Sequence, residues 1–154
     1  MKRIKKCHSR YLKVWKSSTT VLNTLFYLTL FCACVGIASA VGFKSWLMLY
    51  ICLGIAGVCA IAFICLLCYY KKYLSEVTGK LKHAVSHYLS GVLSPICSNV
   101  SCIVEVNKCS VDNVTIYSIP KDRASMACRL LDTVMDELIV LFGKQFEINL
   151  KVNN

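Results

Sequence analysis

Two uncharged, strongly apolar runs, residues 17–43 and 45–70, are separated by a single charged residue, Lys44. No water reaches the inside of a bilayer to hydrogen-bond a peptide backbone. A segment this long and this apolar is therefore most stable there as a helix that satisfies its own N–H and C=O groups. One crossing needs roughly 20 residues, each rising about 1.5 Å. The runs accordingly predict two spans, over residues 21–43 and 46–70, and the turn between them leaves no room for a folded domain. The expected arrangement is a transmembrane helical hairpin with both chain ends on one side.

Charge orients that hairpin. The formal net charge is +10, and Lys2, Arg3, Lys5, Lys6, Arg10, Lys13 and Lys16 crowd a basic N-terminal tail, residues 1–20, that has no acid. Every Asp and Glu lies after residue 70. A nucleic-acid partner is not expected, because these lysines abut an apolar run, where topology and attraction to lipid headgroups already explain them. Lys71 and Lys72 flank the second run while the turn carries only Lys44, so the positive-inside rule places both termini in the cytosol. The sequons Asn99-Val100-Ser101 and Asn113-Val114-Thr115 offer a check, since a lumenal domain would expose them to glycosylation. Cleavage of a signal peptide after Ala38-Ser39-Ala40 is disfavoured, because the first run exceeds the usual h-region of about 7–15 residues.

Neither run contains an ionisable Asp, Glu, Lys, Arg or His, which argues against a conducting or proton-relaying pore. Small residues recur every fourth position at Cys32, Gly36 and Ala40, at Cys52, Ala56 and Ala60, and at Gly54, Val58 and Ala62. Such stripes let helix backbones approach closely in lipid. The first two fit the spans packing on each other, and the third leaves room for a homo-oligomer. Of the eleven cysteines, Cys32, Cys34, Cys52, Cys59, Cys65 and Cys68 lie in the runs, where they act as small apolar residues. Cys97, Cys102, Cys109 and Cys128 are irregularly spaced, and an odd total on the cytosolic side predicts free thiols. Cys68, beside Tyr69-Tyr70-Lys71, is a candidate lipidation site.

After Tyr70 the pattern becomes that of a small cytosolic α+β domain, residues 71–154. Leu74, Val77, Leu81, Ala84, Val85, Tyr88, Leu89 and Val92 recur at three and four, predicting an amphipathic helix that continues the second span as a juxtamembrane stalk. Gly91 and Pro95 end it. Residues 99–106 and 111–119 alternate and are β-branched, predicting two strands with a turn at Asn107-Lys108. A helix follows from Asp122, with an apolar face from Met126 to Phe142 and Gly143 as its C-cap. Phe146, Ile148, Leu150 and Val152 then alternate with polar residues as a third strand. The order is α-β-β-α-β. An antiparallel or mixed sheet with helices on one face would bury these stripes and leave its other face open to a partner.

The search for chemistry is negative. His83 and His87 have the i, i+4 spacing of metal ligands, but no Glu stands between them in the metalloprotease pattern and no third ligand is evident. Cys7 and His8 form an isolated pair in the tail. Asp132, Asp136 and Glu137 fit a solvated acidic flank, and no glycine loop that cradles phosphate occurs. No catalytic residue, metal or cofactor is expected, and a non-enzymatic role is the leading expectation.

The bilobed apolar region, residues 21–43 and 46–70 joined by a turn of a few residues, resembles that of chlamydial inclusion membrane proteins. These are small effectors secreted by a type III system and inserted in the membrane of the pathogen-containing vacuole. The resemblance implies that both termini face the host cytosol and that the chain recruits host proteins there. Besides membrane lipids, a host or other cytosolic protein is then the expected partner. Its contact surface is expected on the open sheet face (Ser101, Ile103, Glu105 or their alternates) or on the stalk stripe at Leu81, Val85 and Tyr88. An alternative is a channel or transporter accessory subunit, its domain resembling the oligomerisation module of cation-diffusion facilitators. That family implies metal-binding His, and none follows His87. A viral membrane protein is a third reading compatible with the composition.

Overall fold

The computed structural model describes residues 1–43, 46–97, 100–107, 110–143 and 146–153. Two long helices come first, α1 (Lys2–Phe43) and α2 (Trp46–Leu93). Strands β1 (Ser101–Asn107) and β2 (Ser110–Pro120) follow, then a 3-10 turn over Lys121–Arg123, helix α3 (Ala124–Phe142) and strand β3 (Glu147–Asn153). Lys44, Ser45, Asn99, Lys108 and Cys109, on which the turns, one sequon and one thiol were placed, lie outside the described residues. The chain divides into two compact units: residues 14–75, and residues 1–13 together with 76–154.

Unit 14–75 is an antiparallel helix pair. Both helices are long and apolar enough to cross a membrane, and only 6% of the most apolar 18-residue window of each is buried. Phe31, Val41, Trp46, Leu47, Val58 and Ile61 all face outward, each more than half exposed. The contact between the helices is made by small side chains. A Cβ placed on Gly36 would stand 2.9 Å from the Cβ of Cys52, and Ala56 is buried one turn further along α2. Phe26 and Phe63 meet towards the other end, with ring centroids 6.5 Å apart. The stripes at Gly36 and at Cys52-Ala56 thus face each other, whereas Gly54 and Val58 face outward.

In the other unit the sheet has the order β1-β2-β3, with β1 antiparallel and β3 parallel to β2. A parallel pair needs a crossover connection, and α3 supplies it. Alternation sorts the strands into two faces. Val104 pairs with Val114 and Val114 with Ile148, while Cys102 pairs with Ile116 and Ile116 with Leu150, all on the inner face. Val104, Val114 and Ile116 are buried there together with Val111 and Ile119. The β2–β3 register shifts between Ile116 and Ile119, and Ser118 takes a left-handed φ of 69° at that irregularity.

The helical residues that cover this face come from three elements. Val77, Leu81, Ala84, Val85, Leu89 and Leu93 of α2 are buried at helical spacing, as are Ala127, Leu131, Leu138 and Phe142 of α3. Each large aliphatic side chain removed from water contributes about 1.5–3 kcal/mol. Pro95 disfavours helical geometry at Ser94, and the turn after α2 closes with Ile96 and Cys97 N–H both donating to the Leu93 carbonyl. Gly91 lies within the last turn of α2 rather than ending it. At the end of α3, Gly143 adopts φ 102° and its N–H donates to Ile139 O at 2.8 Å.

The third contribution comes from the N-terminus. Residues expected as a separate tail are the first turns of α1, and Ile4, His8 and Tyr11 are buried. The His8 ring meets Phe142 edge-on, with centroids 5.2 Å apart. Lys2, Arg3, Lys6, Ser9 and Lys13 remain exposed on the same helix.

Two outcomes test this packing. Gly36→Val should destabilise the helix pair by about 1–3 kcal/mol through overpacking. Gly57→Val, where nothing lies within 4 Å of the added Cβ, should change stability by less than about 0.5 kcal/mol; thermal unfolding in mild detergent reads both. Ile4→Ala should cost the sheet-bearing unit about 2–5 kcal/mol, measured by amide hydrogen exchange in β2. Unchanged protection would mean that the first turns of α1 are not part of this core.

Candidate functional site

The stalk stripe does not present a free surface. Leu81 and Val85 have no exposed area. Tyr88 is half-buried, and burial, followed by the nearby Glu137 carboxylate on α3, raises the pKa of its phenol. A partner could reach Leu81 and Val85 only by opening the core, whereas Tyr88 keeps part of its surface open.

The outer face of the sheet is open. Ser101, Ile103 and Glu105 of β1 point away from the helices and are exposed, Ile103 at 52%. Register brings Tyr117, Thr115 and Asn113 beside them, and Asn149 and Glu147 beyond on β3. The face is mostly polar. Asn149 Nδ2 donates to Asn113 Oδ1 at 3.1 Å, so the Asn of the second sequon lies within a strand. The Lys151 ammonium sits over the Tyr117 ring, 5.3 Å from its centre, a cation–π arrangement. Ile103 is the apolar point in this polar field. It stands on β1, a strand at the sheet edge.

The cysteine chemistry is subdued. Cys102 is half-buried on the inner face, where its thiol hydrogen-bonds with Ser86 on α2. Burial raises its pKa and the hydrogen bond partly opposes this, so the neutral thiol predominates at neutral pH. All described cysteines are free, including exposed Cys128 and Cys68. His83 and His87 stack at 6.2 Å on the exposed side of α2. Among the described residues no group of three or more His, Cys, Asp and Glu is placed to hold a metal ion. Asp136 and Glu137 of α3 line a cleft of about 320 Å³ together with Lys5 of α1. The acidic flank of α3 thus faces a cation from the first turns of the chain. The spacing of Ile4, His8 and Tyr11 carried the signal for that docking, and the surrounding lysines obscured it.

The raised Cys102 pKa has a measurable sign. A thiol more acidic when unfolded than when folded favours folding while both states are protonated. Stability from Cys102 should therefore hold at neutral pH and fall as pH rises through and above the ordinary thiol range. Iodoacetamide at mildly alkaline pH should label Cys128 first and Cys102 only after unfolding, read by peptide mapping. Equal labelling rates would contradict the buried placement of Cys102.

Comparison of the chain with protein-family models, with curated proteins and with solved structures finds no match.

Proposed function

We propose that this protein is a non-enzymatic membrane anchor that displays a small α+β domain on a cytosolic surface and recruits a protein there. The observation that carries the reading is the exposure of its most apolar segments. A water-soluble chain buries such helices, whereas here only 6% of each apolar window is buried. Contiguous apolar surface of this extent needs lipid or another protein against it, and the lack of ionisable groups along residues 17–43 and 45–70 suits lipid.

The topology draws support from the packing of the chain ends. Residues 1–13 and 76–154 belong to one compact unit, so the segment between them crosses any bilayer an even number of times. The cationic flanks then favour a cytosolic position for both ends. On this reading the hairpin concentrates the domain near membrane-bound partners. The resemblance of the apolar region to inclusion membrane proteins makes the membrane of a pathogen-containing vacuole its destination, reached by type III secretion, and a host protein its partner. Recognition would use the outer sheet face, centred on Ile103 between Ser101 and Glu105.

Proximity labelling from a tag after Asn154, combined with alkaline extraction, tests side, compartment and neighbours together. Ile103→Asp should reduce partner recovery at least tenfold, the scale of an interface anchor. It should change stability by less than about 0.5 kcal/mol, as for other surface substitutions. Unaltered recovery would remove the sheet face as the contact. Release of the protein by alkaline carbonate would remove the anchor. Ion flux through liposomes holding the purified chain, without a protein partner, would favour the channel-subunit reading instead.

A further inference from the structure

Within the helix pair, Trp15 and Leu22 of α1 and Leu67 and Leu74 of α2 line an open groove of about 470 Å³. Tyr70 lines it too, and with Trp15 it gives the groove two amphipathic aromatic walls. The Ser18 and Thr19 hydroxyls, which also face it, turn back onto the Trp15 carbonyl oxygen at 2.9 Å each. Cys68 adds a polarisable, apolar surface. Of the residues lining the groove only Lys71 is charged, and it is exposed. Lys16 follows Trp15 on α1 and is exposed as well. No Asp or Glu occurs before Glu76, so nothing in this unit neutralises these cations. The groove therefore joins an apolar trough to a cationic edge, at the place where both apolar runs give way to basic residues.

We propose that this groove holds an anionic phospholipid, with one acyl chain along the Trp15, Leu22, Leu67 and Leu74 walls and the phosphate at Lys71 Nζ. The inference rests on the membrane-spanning reading. A lone exposed ammonium holds a free anion weakly, whereas an acyl chain adds affinity with each methylene removed from competing surroundings. The lysine stem can lie along the apolar wall while its charge reaches the headgroup layer. A zwitterionic lipid fills the trough equally well but leaves the Lys71 charge only partly compensated. The selectivity is therefore electrostatic.

The test uses the full-length chain carrying Trp46→Phe, which leaves Trp15 as its sole tryptophan. It is reconstituted in phosphatidylcholine vesicles with a minor fraction of bromo-acyl phosphatidylglycerol or bromo-acyl phosphatidylcholine. Trp15 should be quenched with an apparent preference of about fivefold for phosphatidylglycerol, the effect of one lysine at an anionic surface. Lys71→Gln should bring the preference to near parity. Lys72→Gln, which removes the same charge from a residue that does not line the groove, should leave it in place. Equal quenching by the two lipids in the parent protein, or equal loss in both lysine variants, overturns the groove as a site while leaving the anchor intact. Relief of quenching by millimolar inorganic phosphate would also overturn it, in favour of a free-anion site. Quenching by neither lipid places Trp15 away from acyl chains and overturns the groove as a lipid site, while alkaline extraction of the same vesicles tests the membrane-spanning reading separately.

Discussion

A helix satisfies its own backbone polar groups wherever it runs, and both units depend on that property. α1 and α2 each continue without a break from one unit into the other. Only their side-chain patterns change along the way. From Trp46 to Tyr70, α2 is apolar around most of its circumference and leaves most of that surface open. From Val77 to Leu93 it is amphipathic, with one face buried against its own domain. α1 makes the same passage in reverse, from a cationic stretch with one buried face to an apolar run. The intact hydrogen-bond ladder lets the surroundings of each helix change along its length without any orphaned backbone group.

Close approach and open surface divide the work within the helix pair. Gly36 against Cys52 removes the side-chain volume that would hold the helices apart, and the close approach adds dispersion between the two backbones. In the sheet-bearing unit ordinary burial suffices. A single sheet face, capped by helical residues from both long helices and from α3, encloses a core whose largest members have almost no exposure. The outer face stays polar, tied by the Asn149–Asn113 hydrogen bond and the Lys151–Tyr117 contact, which leaves Ile103 as its apolar landmark.

Much of this was legible from local pattern. The three- and four-residue spacing from Val77 to Val92 marked the buried side of α2, and Pro95 marked its end. Two-residue alternation located all three strands to within a few residues, and Gly143 marked the end of α3 through its left-handed φ. Less legible was the role of the first residues. Ile4, His8 and Tyr11 have helical spacing, but three residues among so many lysines also suit a solvated tail, and only the presence of Phe142 opposite His8 decides between them. The stripe at Leu81, Val85 and Tyr88 was legible as apolar but not as occupied, because an amphipathic face does not specify what covers it. The bulge at Ser118 had no local signal, since serine has no special preference for positive φ.

The sequence by itself determined what each segment prefers: two uncharged apolar runs, cations on both of their outer flanks, and the order α-β-β-α-β, because periodicity and charge act over a few residues. Tertiary structure alone decided which surfaces meet. It joined residues 1–13 to the C-terminal domain, paired β3 parallel to β2, turned one small-residue stripe inward and another outward, and opened a groove beside Lys71. These outcomes depend on contacts between residues far apart in the chain, which local preference does not encode.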